Sequence, residues 1–263
     1  MRQLLWLALL GLVYGGCVPR GLEKPESIMT ASRIPEPAPP RPVRFPDIHR
    51  QTLPNGLRLY TITQPEQPLV HFLLTFRGGR SVEEPEGAAD LVAQLLTEGT
   101  RRRSSTELAD AIDRLGAELS ASAGWDGLSI EASGLARFAD QLMALMAEVA
   151  LEATFPEEEL ERIRRERLGQ LAIARNQTRF LASVATTRLL FGPGHPYNRV
   201  TDERALQALR REDLVAYHRR WFRPDNAFLI AAGDIRPEEA RALAERFLGS
   251  WSAPPDPLAD PAM

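Results

Sequence analysis

Leu69-Val70-His71-Phe72-Leu73-Leu74-Thr75-Phe76-Arg77-Gly78-Gly79, followed a short way on by Gly87-Ala88-Ala89-Asp90-Leu91-Val92-Ala93-Gln94-Leu95-Leu96-Thr97, holds the change of period that decides the fold. The first stretch is apolar, contains β-branched and aromatic residues, and is cut by two glycines, so it reads as a strand over Leu69 to Phe76. In the second, Ala88, Leu91, Val92, Leu95 and Leu96 recur at helical spacing and Gly99 closes the segment, which predicts a helix over Gly87 to Thr97. A strand running straight into a helix with an apolar face needs a sheet with helices laid on it.

Upstream of this pair, Leu57 to Thr63 reads as a strand, with Asn55-Gly56 as a turn before it and a loop around Pro65 to Pro68 after it. Downstream, a helix from Thr106 to Leu115 stops at Gly116, and strands over Glu118 to Ala123 and Leu128 to Ser133 flank a turn at Gly124 to Gly127. Phe138, Leu142, Leu145, Met146 and Val149 form an amphipathic stripe. Phe155-Pro156 before Glu157, Glu158 and Glu159 starts a helix that runs to about Asn176. A helix over Phe180 to Leu190 ends at the break Gly192 to Pro196; Arg211 to Trp221 is helical, Ala227 to Ala232 a buried-type strand, and Pro237 to Leu248 a closing helix. This order is that of an α+β fold, helices on a mixed sheet. The dense Arg and Glu of Glu161 to Arg167 read as a solvated, salt-bridged helix face.

The chain has 263 residues, 44% hydrophobic and 25% charged, a composition that folds; a net charge of -3 gives no reason to expect nucleic acid as a partner. Its one cysteine and four scattered histidines, His49, His71, His195 and His218, exclude a disulfide framework and a cysteine-rich zinc module. Ser104 and Ser105 lack a nucleophile elbow, and Gly78, Gly79 and Gly87 match no phosphate-binding loop.

The cysteine closes a leader. After Met1-Arg2, the apolar run Leu4 to Val13 is too short to span a bilayer but fits a secretory signal, and Gly16-Cys17 at its end resembles a bacterial lipoprotein cleavage site. Residues 1–17 are therefore expected to be a lipoprotein-type signal peptide, with Cys17 lipidated and the protein held at the cell envelope, facing the periplasm. Val18 lacks the acidic residue that in some bacteria retains lipoproteins in the inner membrane, which points to the outer one. Residues 18–45, rich in proline, read as a semi-rigid tether, 46–252 as the folded domain, and 253–263 as a proline-rich tail.

Leu53-Pro54-Asn55-Gly56-Leu57, Phe76-Arg77-Gly78-Gly79-Arg80-Ser81-Val82-Glu83, Glu98-Gly99-Thr100, His195-Pro196-Tyr197, and Arg211 to His218 continuing through Trp221-Phe222-Arg223-Pro224-Asp225-Asn226-Ala227 to Gly233-Asp234 follow one another at telling separations. Together they resemble the first half of the pitrilysin, insulinase and mitochondrial-processing-peptidase family of zinc metallopeptidases. The resemblance implies a half-domain with a mixed, largely antiparallel sheet covered by helices.

Those peptidases hold zinc with an inverted H-x-x-E-H motif on the helix after the second strand, plus a glutamate from a later helix. Two imidazoles four residues apart face one side of a helix, and the glutamate beside them takes the proton of the metal-bound water. The resemblance sets Asp90 and Gln94 at the histidine positions, Ala93 at the general base, and Gln170, 76 residues beyond Gln94, at the third ligand. It thus implies a degenerate motif with no catalytic residue, no metal ligand and no cofactor, since one aspartate and two glutamines suit zinc poorly.

Family members close two similar halves on each other, and some work as pairs of chains of which one carries the metal. This chain is one half long, so the expected partner is a zinc-bearing peptidase homologue or a complementary second half. Substrate in the family adds as a strand near the segment matching Leu119, Ser120, Ala121, Ser122 and Ala123, a peptide grip that outlives loss of the metal. The expectation is a catalytically inactive, lipid-anchored subunit; a residual or altered zinc metalloendopeptidase using Asp90, and a structural scaffold of the envelope, remain the alternatives.

Overall fold

The computed structural model describes residues 45–200 and 202–258. The leader, Cys17, nearly all of the tether and the last residues of the tail lie outside the described residues.

Among the described residues, six strands form one sheet: β1 (His49–Thr52), β2 (Arg58–Thr63), β3 (Leu69–Arg77), β4 (Glu118–Ala123), β5 (Gly127–Leu135) and β6 (Ala227–Gly233). Their order is β1-β2-β6-β3-β5-β4, and only the β2–β6 pair is parallel. The late strand β6 slots between β2 and β3, setting Leu229 beside both Leu59 and Leu74, so the end of the chain completes the centre of the sheet. Alternation along β3 buries Val70, Phe72, Leu74 and Phe76 on one face, where they meet Leu128, Ile130 and Ala132 of β5 and Ala227, Leu229 and Ala231 of β6.

Among the described residues eight α-helices accompany the sheet: α1 (Ala88–Leu95), α2 (Ser105–Leu115), α3 (Ala139–Glu152), α4 (Glu157–Ala174), α5 (Thr178–Phe191), α6 (Glu203–Ala208), α7 (Arg211–Trp221) and α8 (Pro237–Leu248). α3 packs on β5 and α8 on β2, while α1 is held between α7, α4 and β4. The strand and helix expectations are met to within a few residues. Two elements were not expected from sequence: β1, whose His-Arg-Gln-Thr carries no apolar alternation, and α6, a short helix capped by Asp202.

The motif residues act as fasteners. Asn55, beside Gly56 with its φ of +93°, donates to the carbonyls of Leu248 and Trp251, tying the β1–β2 turn to the end of α8. Asn226 donates to the carbonyls of Arg77 and Trp221, and Arg223 forms a two-bond pair with Asp225 and donates to the carbonyls of Pro254 and Asp256. The charged face of α4 departs from the expected solvated one. Arg162 does bridge Glu98, Glu159 and Glu166 at the surface, but Arg164 is buried and donates to the carbonyls of Leu206 and Leu209, which the end of α6 leaves without helical partners.

Candidate functional site

The site forms where α1 starts, beside the β4–β5 hairpin. Gly79 has φ +86°, and a Cβ there would stand 2.6 Å from the Gly124 carbonyl oxygen, so glycine alone lets the loop after β3 lie against the hairpin turn. That contact is fixed by backbone bonds from Gly78, Arg80 and Ser81 to the carbonyls of Asp126, Gly124 and Trp125. Just beyond, the buried carboxyl of Glu83 accepts from the N–H groups of Gly87 and Ala89, both at 2.8 Å, capping α1 through one oxygen each. Burial pushes Glu83 up to about 7, against the pull of those two bonds.

On α1, Asp90 and Gln94 lie one helical turn apart, and Gln170 of α4 lines the same pocket as Asp90. What joins them is Arg167, a turn before Gln170. Its Nη2 is 3.9 Å from Asp90 Oδ1, and with the Gln94 amide oriented to satisfy its neighbours, the Gln94 oxygen accepts from Nε at 2.7 Å and from Nη2. A guanidinium therefore sits across positions 90 and 94. Ala93 is a buried methyl in the core.

The donor set does not fit the zinc that the resemblance implies. It offers one carboxylate and two amide oxygens, and a fixed cation is already bonded to one amide and placed beside the carboxylate. Among the described residues, His, Cys, Asp and Glu nowhere gather in threes as a metal-binding group. His195 stacks on Phe191 and accepts from the Tyr197 N–H through Nδ1, and His218 contacts the Ala150 carbonyl at 2.8 Å between Phe155 and Phe222.

Next to this cluster lies a cavity of about 380 Å³ lined in part by Arg80, Glu83, Asp90, Trp125, Arg167 and Arg199. Arg80 stacks over the Trp125 ring at 4.7 Å, and Trp125 packs against Tyr197, whose hydroxyl donates to Asp126 at 2.6 Å. The His195-Pro196-Tyr197 block thus braces the cavity wall.

β4 borders the same region and is an edge strand, paired only with β5. The Gly124 N–H bonds the Gly127 carbonyl, and alternation from that pair turns the backbone groups of Glu118, Ser120 and Ser122 toward β5. Leu119, Ala121 and Ala123 consequently turn theirs outward, while their half-buried side chains pack against the core.

Sequence reading reached Asp90, Gln94, Gln170 and β4, but missed Arg80, Glu83, Trp125 and Arg167. Glu161 to Arg167 reads as one charged stripe, and a stripe does not reveal which arginine turns toward another helix. Arg80 and Glu83, by contrast, lie within the Phe76 to Glu83 motif.

Comparison with known proteins agrees with this fold. The family described as "Insulinase (Peptidase family M16)" matches residues 58–187, and that described as "Peptidase M16 inactive domain" matches 208–262. A curated relative, an uncharacterized zinc protease of Mycobacterium leprae, is 27% identical over 222 residues, covering 81% of this chain and 50% of its own length. A probable mitochondrial-processing peptidase subunit beta of Schizosaccharomyces pombe is 26% identical over 215 residues, covering 78% of this chain and 46% of its own. Among solved structures, a peptidase M16 inactive domain from Pseudomonas fluorescens has a TM-score of 0.75 at 23% identity, covering 82% of this chain and 54% of that one. The first half of the periplasmic protease PqqL from Escherichia coli has a TM-score of 0.74 at 21% identity, covering 82% and 48%. The chain spans about half the length of the curated relatives it matches. In sequence and in fold, the chain belongs to peptidase family M16, the insulinase and pitrilysin family.

Proposed function

We propose that this chain is a non-catalytic M16 homologue that grips peptide along β4 and works with a zinc-bearing homologue or a complementary second half. The observation that carries this reading is the guanidinium of Arg167 across Asp90 and Gln94. It supplies positive charge to the place where the family pattern puts zinc, and a guanidinium neither activates water nor polarises a carbonyl as a zinc ion does. Backbone gripping needs only the outward-facing groups of Leu119, Ala121 and Ala123.

Around this core, residues 1–17 serve as the signal peptide, Cys17 as the lipid-bearing anchor and 18–45 as a tether holding the 46–252 half-domain off the outer membrane, on its periplasmic side. The periplasmic relative from E. coli is compatible with that address, and no helix of the described residues is long and apolar enough to cross a membrane.

Metal analysis with peptide cleavage before and after chelation tests the reading. The purified chain is expected to carry no stoichiometric zinc and to show no chelator-sensitive cleavage, whereas the variant Asp90→His, Ala93→Glu, Gln94→His, Gln170→Glu gains a zinc ion. Stoichiometric zinc with chelator-sensitive cleavage in the unaltered chain overturns the proposal.

A further inference from the structure

We propose that the cavity between α1, α4, α5 and the β4–β5 hairpin is a carboxylate-binding subsite, in which Arg80 and Arg167 receive an acidic group of a peptide lying on β4. This deepens the gripping role proposed above and rests on it.

The charges of the cavity do not cancel. Arg80, Arg167 and Arg199 bring three guanidiniums, against Asp90 and Glu83. Glu83 is occupied with the α1 N–H groups, and its burial leaves it only partly ionised at neutral pH. Asp90 is the one remaining carboxylate, and it lies 3.9 Å from both Arg80 Nη1 and Arg167 Nη2, outside hydrogen-bond range of either.

Arg80 carries the decisive detail. Its Nε is buried without a hydrogen-bond partner, but the side chain as a whole is 35% exposed, so an incoming acceptor meets the Nη end of the guanidinium. The guanidinium carbon lies 4.7 Å over the Trp125 ring, which holds the group at the cavity wall, and a guanidinium fork matches two coplanar oxygens. A carboxylate has that shape. Apolar surface from Trp125, Phe180 and Val184 lines the same cavity and suits the stem of a side chain or the last residue of a peptide.

Position makes the ligand a peptide. Trp125 sits in the turn that directly continues β4, so a strand added beyond Leu119, Ala121 and Ala123 runs past the mouth of the cavity. The acidic group is then either a C-terminal carboxylate or an Asp or Glu side chain.

The test uses one labelled, otherwise uncharged peptide in three forms: free C-terminal acid, C-terminal amide, and amide with a single internal glutamate. Binding to the full chain is followed by fluorescence anisotropy. At least one acidic form is expected to bind about tenfold or more tighter than the plain amide, with the form that gains identifying the source of the carboxylate. Arg80→Gln removes that gain, and Arg80→Lys, which keeps the charge and loses the fork, restores only part of it. If all three forms bind equally and Ala121→Pro abolishes all of them, the subsite is overturned while gripping by β4 stands. If no form binds, gripping fails and the subsite with it.

Discussion

Glu83 and His218 are buried ionisable groups that burial drives in opposite directions. Glu83 is raised from 4.5 to about 7, chiefly by burial, and His218 is lowered from 6.5 to about 4 by the same cause. The stability that protonated Glu83 contributes is complete below 4.5 and lost as pH rises through about 7; that of neutral His218 is complete above 6.5 and lost as pH falls through about 4. Between pH 5 and 7 the two effects oppose each other at about 2 kcal/mol each, so these two contributions nearly cancel. Thermal unfolding of Glu83→Gln should therefore show stability rising from pH 5 to 7, and His218→Gln should show it falling. Parallel slopes in the two variants would refute the assignment. Neither group is legible in the sequence, where Glu83 is one acid in a loop and His218 one histidine in a charged helix, because their behaviour comes from segments that fold onto them. Asp90 and Gln94 were legible only because the spacing of a familiar motif survives the loss of its chemistry.

At the scale of the element, the proposed grip gives backbone direction along β4 a functional meaning. Ser120 points its N–H at Glu131 of β5, whereas Ala121 points its N–H away from the sheet. Proline removes that donor at either place, with different results. Ser120→Pro should cost about 1–3 kcal/mol by leaving a ladder carbonyl unpaired, seen as a lowered melting temperature. Ala121→Pro should leave melting nearly unchanged and abolish peptide binding. Equal destabilisation by both would mean that the strand lies in another register. Elements of this length were readable in advance because alternation in β3 and helical recurrence in α1 each bury one face. β1 and α6 were not, since a short polar strand is held by pairing with Arg58 to Thr61 of β2, and a two-turn helix by its Asp202 cap and by Arg164.

For the whole molecule, the unexplained feature is α5. None of its residues is buried, and Leu181, Leu189, Leu190 and Phe191 are 54%, 86%, 74% and 46% exposed. Ile173 at the end of α4 and Val200 add exposed apolar surface nearby in sequence. An apolar helix that the half-domain covers only in part is accounted for if a further half closes over it, in keeping with a chain that matches about half the length of its relatives. The sheet supports the same arrangement, because Tyr60, Ile62, Leu73 and Ile230 on the face away from the core are only half-buried. Leu189→Glu with Leu190→Glu should then change the stability of the isolated chain by no more than about 0.5 kcal/mol, because nothing in the half-domain packs on those side chains. Under the proposed pairing, the same double variant should no longer co-purify with an M16 partner that the unaltered chain retains. Retention of that partner by the double variant would place the contact on another face, and a marked loss of stability would show that α5 belongs to the core of this half.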